Sequence, residues 1–224
     1  MAKGHDIGRG VFYRANNAPA LPNDMDTKWV GKNKLSVPFE VPFSLFNNMS
    51  ISMFNKYYFH SNAAEMVAKR VHYQTFFYPL DRLLKWNLVY GKRGFLQYQC
   101  VVPKTNEREA IKEILQIISA EGAGSFLAVL KQFGDLESPG ILSFPRPGTT
   151  LALDFPNNGA PTFKLLRYLD EVVKAANGAI YPAKDARMDV DTFRQSFPQW
   201  ESIMPFVDPY FSSSFWRRIN GHNV

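Results

Sequence analysis

Apolar and polar positions alternate most clearly between residues 94 and 181 of this 224-residue chain. Gly94 to Val102 reads as a strand that Pro103 stops. Asn106, with Glu109 three residues on, has the pattern of a capping box, and the helix behind it carries its apolar face on Ile111, Ile114, Leu115 and Ile118. Gly122 and Gly124 end that helix. Ser125 to Phe133 and Thr149 to Phe155 are the next two strands, separated by turn chemistry at Pro139-Gly140 and Pro145-Arg146-Pro147-Gly148. Pro161 opens a second amphipathic helix, which runs through Phe163, Leu166, Leu169 and Val173 to a stop at Asn177-Gly178. Ala179 to Tyr181 is a short strand. Strand–helix–strand–strand–helix–strand predicts an α+β fold, a largely antiparallel sheet with helices on one face.

The pattern is weaker toward the N-terminus. Gly8 to Arg14 is strand-like or turn-like with no start signal ahead of it, which reads as an opening inside a longer protein. Residues 15–42, broken by Pro19, Pro22, Pro38 and Pro42, predict a long loop. Leu45, Met49, Met53 and Tyr57 recur every four residues and predict a helix over Phe43 to Phe59 with one buried face. Val71, Tyr73, Thr75 and Phe77 suit one side of a strand ending at Pro79, and Leu80 to Tyr90 a short helix ended by Gly91.

With 46% hydrophobic residues the chain can bury a core. No run approaches the roughly 18 apolar residues of a membrane helix, and the polar start at Met1 to Asp6 lacks the apolar stretch of a signal peptide, so a cytoplasmic protein without a transmembrane segment is expected. Cys100, the single cysteine, excludes an internal disulfide and cysteine-based metal sites within one chain, and four scattered histidines give no metal-ligand spacing. The net charge of +6 is spread along the chain, and its densest patch, Lys28, Lys32 and Lys34, sits in the long loop, so nucleic acid is not expected as a partner.

Polar side chains inside the strands change this bland picture. On the first strand Gln97 and Gln99 share a face with Phe95 and Val101, while Leu96, Tyr98, Cys100 and Val102 take the other. A glutamine on a covered face needs a hydrogen-bond partner, because an unpaired buried amide costs about 1–3 kcal/mol. On the second strand Lys131 falls among Leu127, Val129 and Phe133. Two readings stand for it: a strand-end lysine whose ammonium snorkels to solvent, or one wall of a polar pocket shared with the glutamines. Tyr181 to Arg187 places three charges just after a strand, as an ordinary polar loop or as part of a site.

Several blocks resemble FAD-linked oxidases of the vanillyl-alcohol-oxidase type, in particular those related to the decaprenylphosphoryl-ribose oxidases. They are Gly94 to Pro103, Ser125 to Gly134, Leu142-Ser143-Phe144-Pro145 with Leu151 to Pro156, Tyr181 to Arg187, Phe77 to Asp81, and Trp86-Asn87. Their order and spacing agree from Gly8 to Pro209. Such enzymes carry a Gly-rich pyrophosphate loop in an N-terminal FAD-binding half, and nothing in this chain matches it.

The resemblance implies a C-terminal portion only: residues 1–178 as a substrate-binding cap domain, and residues 179–224 as a short helical tail that packs on an FAD-binding domain or chain. It implies Lys184 and Lys131 as catalytic residues, with Tyr181, Lys184 and Gln99 at the cofactor. Gln97, Gln99, Phe77, Leu80, Leu127, Val129, Lys131, Phe133, Thr150 and Ala152 would line the substrate pocket. The implied reaction is oxidation of a secondary alcohol of a sugar, sugar lactone or related small molecule by hydride transfer to FAD. The chain alone is not expected to retain that cofactor, and the alternative is a catalytically silent binding module. Ala152 stands where mycobacterial members have cysteine, and Thr150 where they have asparagine, so their lipid-linked substrate is not carried over.

Overall fold

The computed structural model describes residues 4–19, 35–40, 48–62, 66–78, 83–125, 127–184 and 187–220. Contacts divide the chain into two units, Arg9–Gly94 and a second formed by Met1–Gly8 with Phe95–Val224. In the first, β1 (Leu35–Ser36), α1 (Asn48–Asn62), α2 (Tyr73–Phe77) and β2 (Leu83–Leu84) follow in order, with β1 and β2 paired in parallel. The expected long loop therefore contains a strand. Its basic patch, with Leu45 and Leu80, lies outside the described residues.

Three expectations for this unit are corrected. Helix α1 forms, but Met49, Met53 and Tyr57 are exposed, and the covered row is Ile51 with half-buried Asn55 and Phe59. Both rows repeat every four residues, and a shift of two residues turns the helix by about 200°, so the repeat alone does not say which side packs. Tyr73 to Phe77 is a helix and not a strand. The Nδ1 of His72 accepts a hydrogen bond from the Gln74 amide at 3.3 Å and the Tyr78 amide closes on the Gln74 carbonyl at 2.8 Å, local bonds that override the aromatic preference for strands. The helix expected up to Tyr90 is a 3₁₀ turn, Trp86–Tyr90, closed by Gly91 at φ 70° as the glycine suggested.

The second unit carries β3 (Phe95–Val102), α3 (Glu107–Ala120), β4 (Ala128–Phe133), β5 (Gly148–Pro156), α4 (Ala160–Ala175) and β6 (Ala179–Ile180). Its four strands lie in the order β4-β5-β3-β6, each antiparallel to its neighbour, so the α+β expectation holds. Tyr98, Cys100 and Val102 of β3 and Leu151, Leu153 and Phe155 of β5 pack on Ile111, Ile114 and Ile118 of α3 and Leu165, Leu166 and Leu169 of α4. The two helices thus cover one sheet face. Asn106 precedes α3 as expected, but makes no side-chain cap. Its amide donates to the Ala176 carbonyl at 3.4 Å, tying the start of α3 to the end of α4. Leu169 is fully buried, and Leu169→Ala is expected to cost about 2–5 kcal/mol in urea denaturation.

After β6, α5 (Val190–Ser196) starts on Asp189, whose carboxylate accepts from the Thr192 amide at 2.7 Å, and α6 (Ser214–Ile219) starts on Ser213. Phe193, Phe197 and Ile219 join the same core cluster as α3 and α4. Among the described residues no helix is long and apolar enough to cross a membrane.

Candidate functional site

Strand residues directly opposite one another share a face. The register sets Gln97 beside Asp154, and Gln99 beside Ala152, which in turn faces Val129. Val101 pairs with Thr150, Thr150 with Lys131, and Gly148 with Phe133. All of these therefore lie on the sheet face turned away from α3 and α4. Close approach is required at Gly148, where an added Cβ would stand 2.1 Å from the Val102 carbonyl oxygen. Gln97 and Lys131, from separate strands, end on the same side. One end of this face is covered by a small aromatic cluster in which Phe144 stacks on Tyr181 at 4.6 Å.

A string of polar contacts crosses the rest. The Tyr181 amide donates to the Gln99 carbonyl at 2.9 Å, extending the β6 edge into the short 3₁₀ turn Pro182–Lys184. That turn aims Lys184 back at β3, where its Nζ donates to Gln97 Oε1 at 2.7 Å. The Gln97 Nε2 donates to Asp154 Oδ1 at 3.0 Å. Further along β3, Gln99 Nε2 donates to Thr150 Oγ1 at 3.2 Å, and that hydroxyl donates to the Cys100 carbonyl at 2.8 Å. Both glutamines thus find protein partners, as half-buried amides must.

Asp154 is 2% exposed. Burial pushes its carboxyl above the usual carboxylate range, against the opposing pull of Gln97 and of the Lys184 charge. The Ser125 hydroxyl, itself buried, accepts from the Asp154 amide at 3.0 Å and fixes the backbone there. Behind the β3 edge, a small cavity is lined by Gln97, Tyr98, Asp170, Ile180 and Lys184. There Arg187 pairs with Asp170 at 2.5 Å. The Cys100 thiol, fully buried, is pushed up to about 12 and stays protonated.

Of the residues singled out from sequence, Gln97, Gln99, Val129, Lys131, Phe133, Thr150 and Ala152 come together on this face, and Lys184 and Tyr181 reach it from its edge. Leu127 adjoins it, its carbonyl accepting from the Asp154 amide at 3.3 Å. Lys131 is exposed, whereas Thr150 is buried with its hydroxyl engaged in orienting Gln99. Phe77 belongs to the other unit, on α2 and exposed, and Leu80 lies outside the described residues. Sequence reading passed over Asp154. Its signal was an acidic residue sharing strand parity with Thr150 and Ala152 while Leu151, Leu153 and Phe155 take the core.

No protein-family model matches the chain. It is 33% identical over 218 residues to the decaprenylphosphoryl-β-D-ribose oxidase of Mycolicibacterium smegmatis, a match that takes in 95% of this chain and 46% of that protein. It is 32% identical over 131 residues to an uncharacterised protein in the mprA 5′ region of Streptomyces coelicolor, covering 56% of this chain and 35% of that protein. The chain thus spans less than half the length of either relative. Across nearly all of its own length it is a relative of part of a decaprenylphosphoryl-β-D-ribose oxidase, as the resemblance of its sequence blocks implied.

Proposed function

We propose that this chain is the C-terminal, substrate-binding portion of an FAD-dependent oxidoreductase that oxidises a secondary alcohol of a sugar, sugar lactone or related molecule. The observation that carries the reading is the cation string on the sheet face turned from the helices: Lys184 held by Gln97, and Gln97 held by Asp154. An ammonium has three donors and Gln97 takes one of them, so Lys184 suits an electron-rich ring edge laid along the face beside Tyr181 and Gln99. Bound FAD would supply the two-electron acceptor that no side chain of this protein provides. Lys184 would set positive charge where negative charge grows during reaction. Lys131, exposed on the same face, would meet the substrate's oxygen-rich side, with Val129, Phe133 and Ala152 as its apolar wall.

Residues 179–224 would return to the FAD-binding domain. Phe206, Tyr210 and Phe211 in this segment are exposed, as residues awaiting such a surface would be. The relative's name specifies a decaprenylphosphoryl ribose, and its sugar portion is the part that a polar face of this kind would suit.

The test is to supply the chain with FAD and an FAD-binding partner domain, then add sugars, sugar lactones and simple secondary alcohols anaerobically. Bleaching of the flavin band near about 450 nm by one of these classes is the expected result. A flavin-loaded preparation that none of them bleaches would overturn the reading.

A further inference from the structure

We infer that Asp154 is a positioning residue, locking the Gln97 amide in the orientation that turns its oxygen to Lys184 and so holding the Lys184 ammonium on the open sheet face. Its relevance to catalysis rests on the proposed function, but the linkage itself is a property of this chain.

An amide presents an oxygen on one side and an NH₂ on the other, and on its own a glutamine turns either end to a neighbour. Here Gln97 stands between Asp154 Oδ1, 3.0 Å from its nitrogen, and Lys184 Nζ, 2.7 Å from its oxygen. A carboxylate only accepts and an ammonium only donates. Flipping the amide would set oxygen against oxygen at Asp154 and NH₂ against NH₃⁺ at Lys184, so one orientation survives. Lys184 alone would bias the flip, but Asp154 fixes it from the immobile side. Asp154 sits near the end of β5, 2% exposed, with its backbone pinned through the Ser125 hydroxyl and the Leu127 carbonyl. Lys184, by contrast, ends a three-residue turn.

The cost of the arrangement is visible. Asp154 Oδ2 is buried without a hydrogen-bond partner among the described residues. Buried orphan acceptors are uncommon, and an apolar residue at this strand position would leave no orphan oxygen there. A carboxylate kept there despite that cost is accounted for by what its other oxygen holds.

The test reads Lys184 directly in the chain, by NMR of its side-chain ammonium and ε-methylene signals, assigned with Lys184→Arg. In Asp154→Asn the replacement amide can offer either end, the lock is lost, and exchange of the Lys184 ammonium protons with water is expected to rise by about ten-fold, the scale of one charge-assisted bond. Adding Gln97→Glu to that variant gives Lys184 a carboxylate partner that needs no orienting, and slow exchange should return. A residue that served only the fold would not be bypassed in this way. Should Asp154→Asn fail to fold, Asp154→Ser carries the same expectation. Unchanged Lys184 exchange in a folded Asp154 variant, or no recovery on adding Gln97→Glu, would overturn the inference. The two readings fail separately. Altered exchange in a protein that oxidises no alcohol leaves the linkage standing and removes the oxidase, whereas unaltered exchange in an active oxidase does the opposite.

Discussion

Under the proposed function, replacing Lys184 by methionine in the chain combined with FAD and an FAD-binding partner domain is expected to slow anaerobic reduction by substrate roughly ten- to a thousand-fold, the range typical of losing one electrostatic or acid–base group. The side chain is half-buried, ends a short turn, and reaches across to β3 to donate to Gln97 at 2.7 Å. Methionine keeps the length and the apolar stem while deleting the charge and the donors, so the fold should be spared. Stopped-flow reduction over a range of substrate concentrations separates the limiting rate from binding. Lys184→Met should act mainly on the limiting rate. Lys131→Met, at an exposed position on the edge strand β4, should act on substrate affinity as well as rate. A wild-type limiting rate in Lys184→Met would remove that residue from the chemistry.

Most of the second unit was legible because each of its elements has a strong period and a chemical stop. Helices α3 and α4 show their apolar stripes, Asn177 at φ 55° stops the chain just beyond α4, and β3 and β5 are largely apolar runs. The open-face residues were legible for the opposite reason. Gln97, Gln99 and Lys131 break an apolar rhythm, and each break lies on one face once the strands are paired. Asp154 was legible only as a polar residue on the face opposite the core, because its meaning depends on standing opposite Gln97, and register between strands far apart in sequence is set by the assembled sheet. Residues 66–91 failed differently. A run such as Tyr73 to Phe77 has the composition of a strand, yet a histidine cap and a single turn of backbone bonds make it helical. The α1 repeat named a helix but not its buried side, since Met53 and Ile51 are equally apolar while only one packs.

The turn that presents Lys184 is held by a second anchor, and cutting it should cost more stability than any surface change. Arg187, three residues beyond Lys184, pairs with Asp170 of α4 at 2.5 Å, with side-chain exposures of 18% and 7%. Burial dominates at Asp170: its carboxyl is held above the usual range even though Arg187 pulls the other way. Arg187→Met removes that pull and leaves a buried carboxylate uncompensated, which typically costs about 3–5 kcal/mol at neutral pH. The sign of the pH dependence follows. A carboxyl whose pKa is higher folded than unfolded contributes stability that is fully present below its unfolded pKa and is lost as pH rises through the folded one. Without Arg187 the folded value rises further, so the deficit of the variant should widen as pH rises above the ordinary carboxylate range and narrow toward acid. Adding Asp170→Asn removes the charge itself and should restore most of the loss, with little remaining dependence on pH. Guanidinium unfolding of the wild type, Arg187→Met and the double variant from acid to neutral pH checks all three expectations. A deficit independent of pH would mean that Arg187 serves the fold through its packing and not through the buried carboxylate of Asp170.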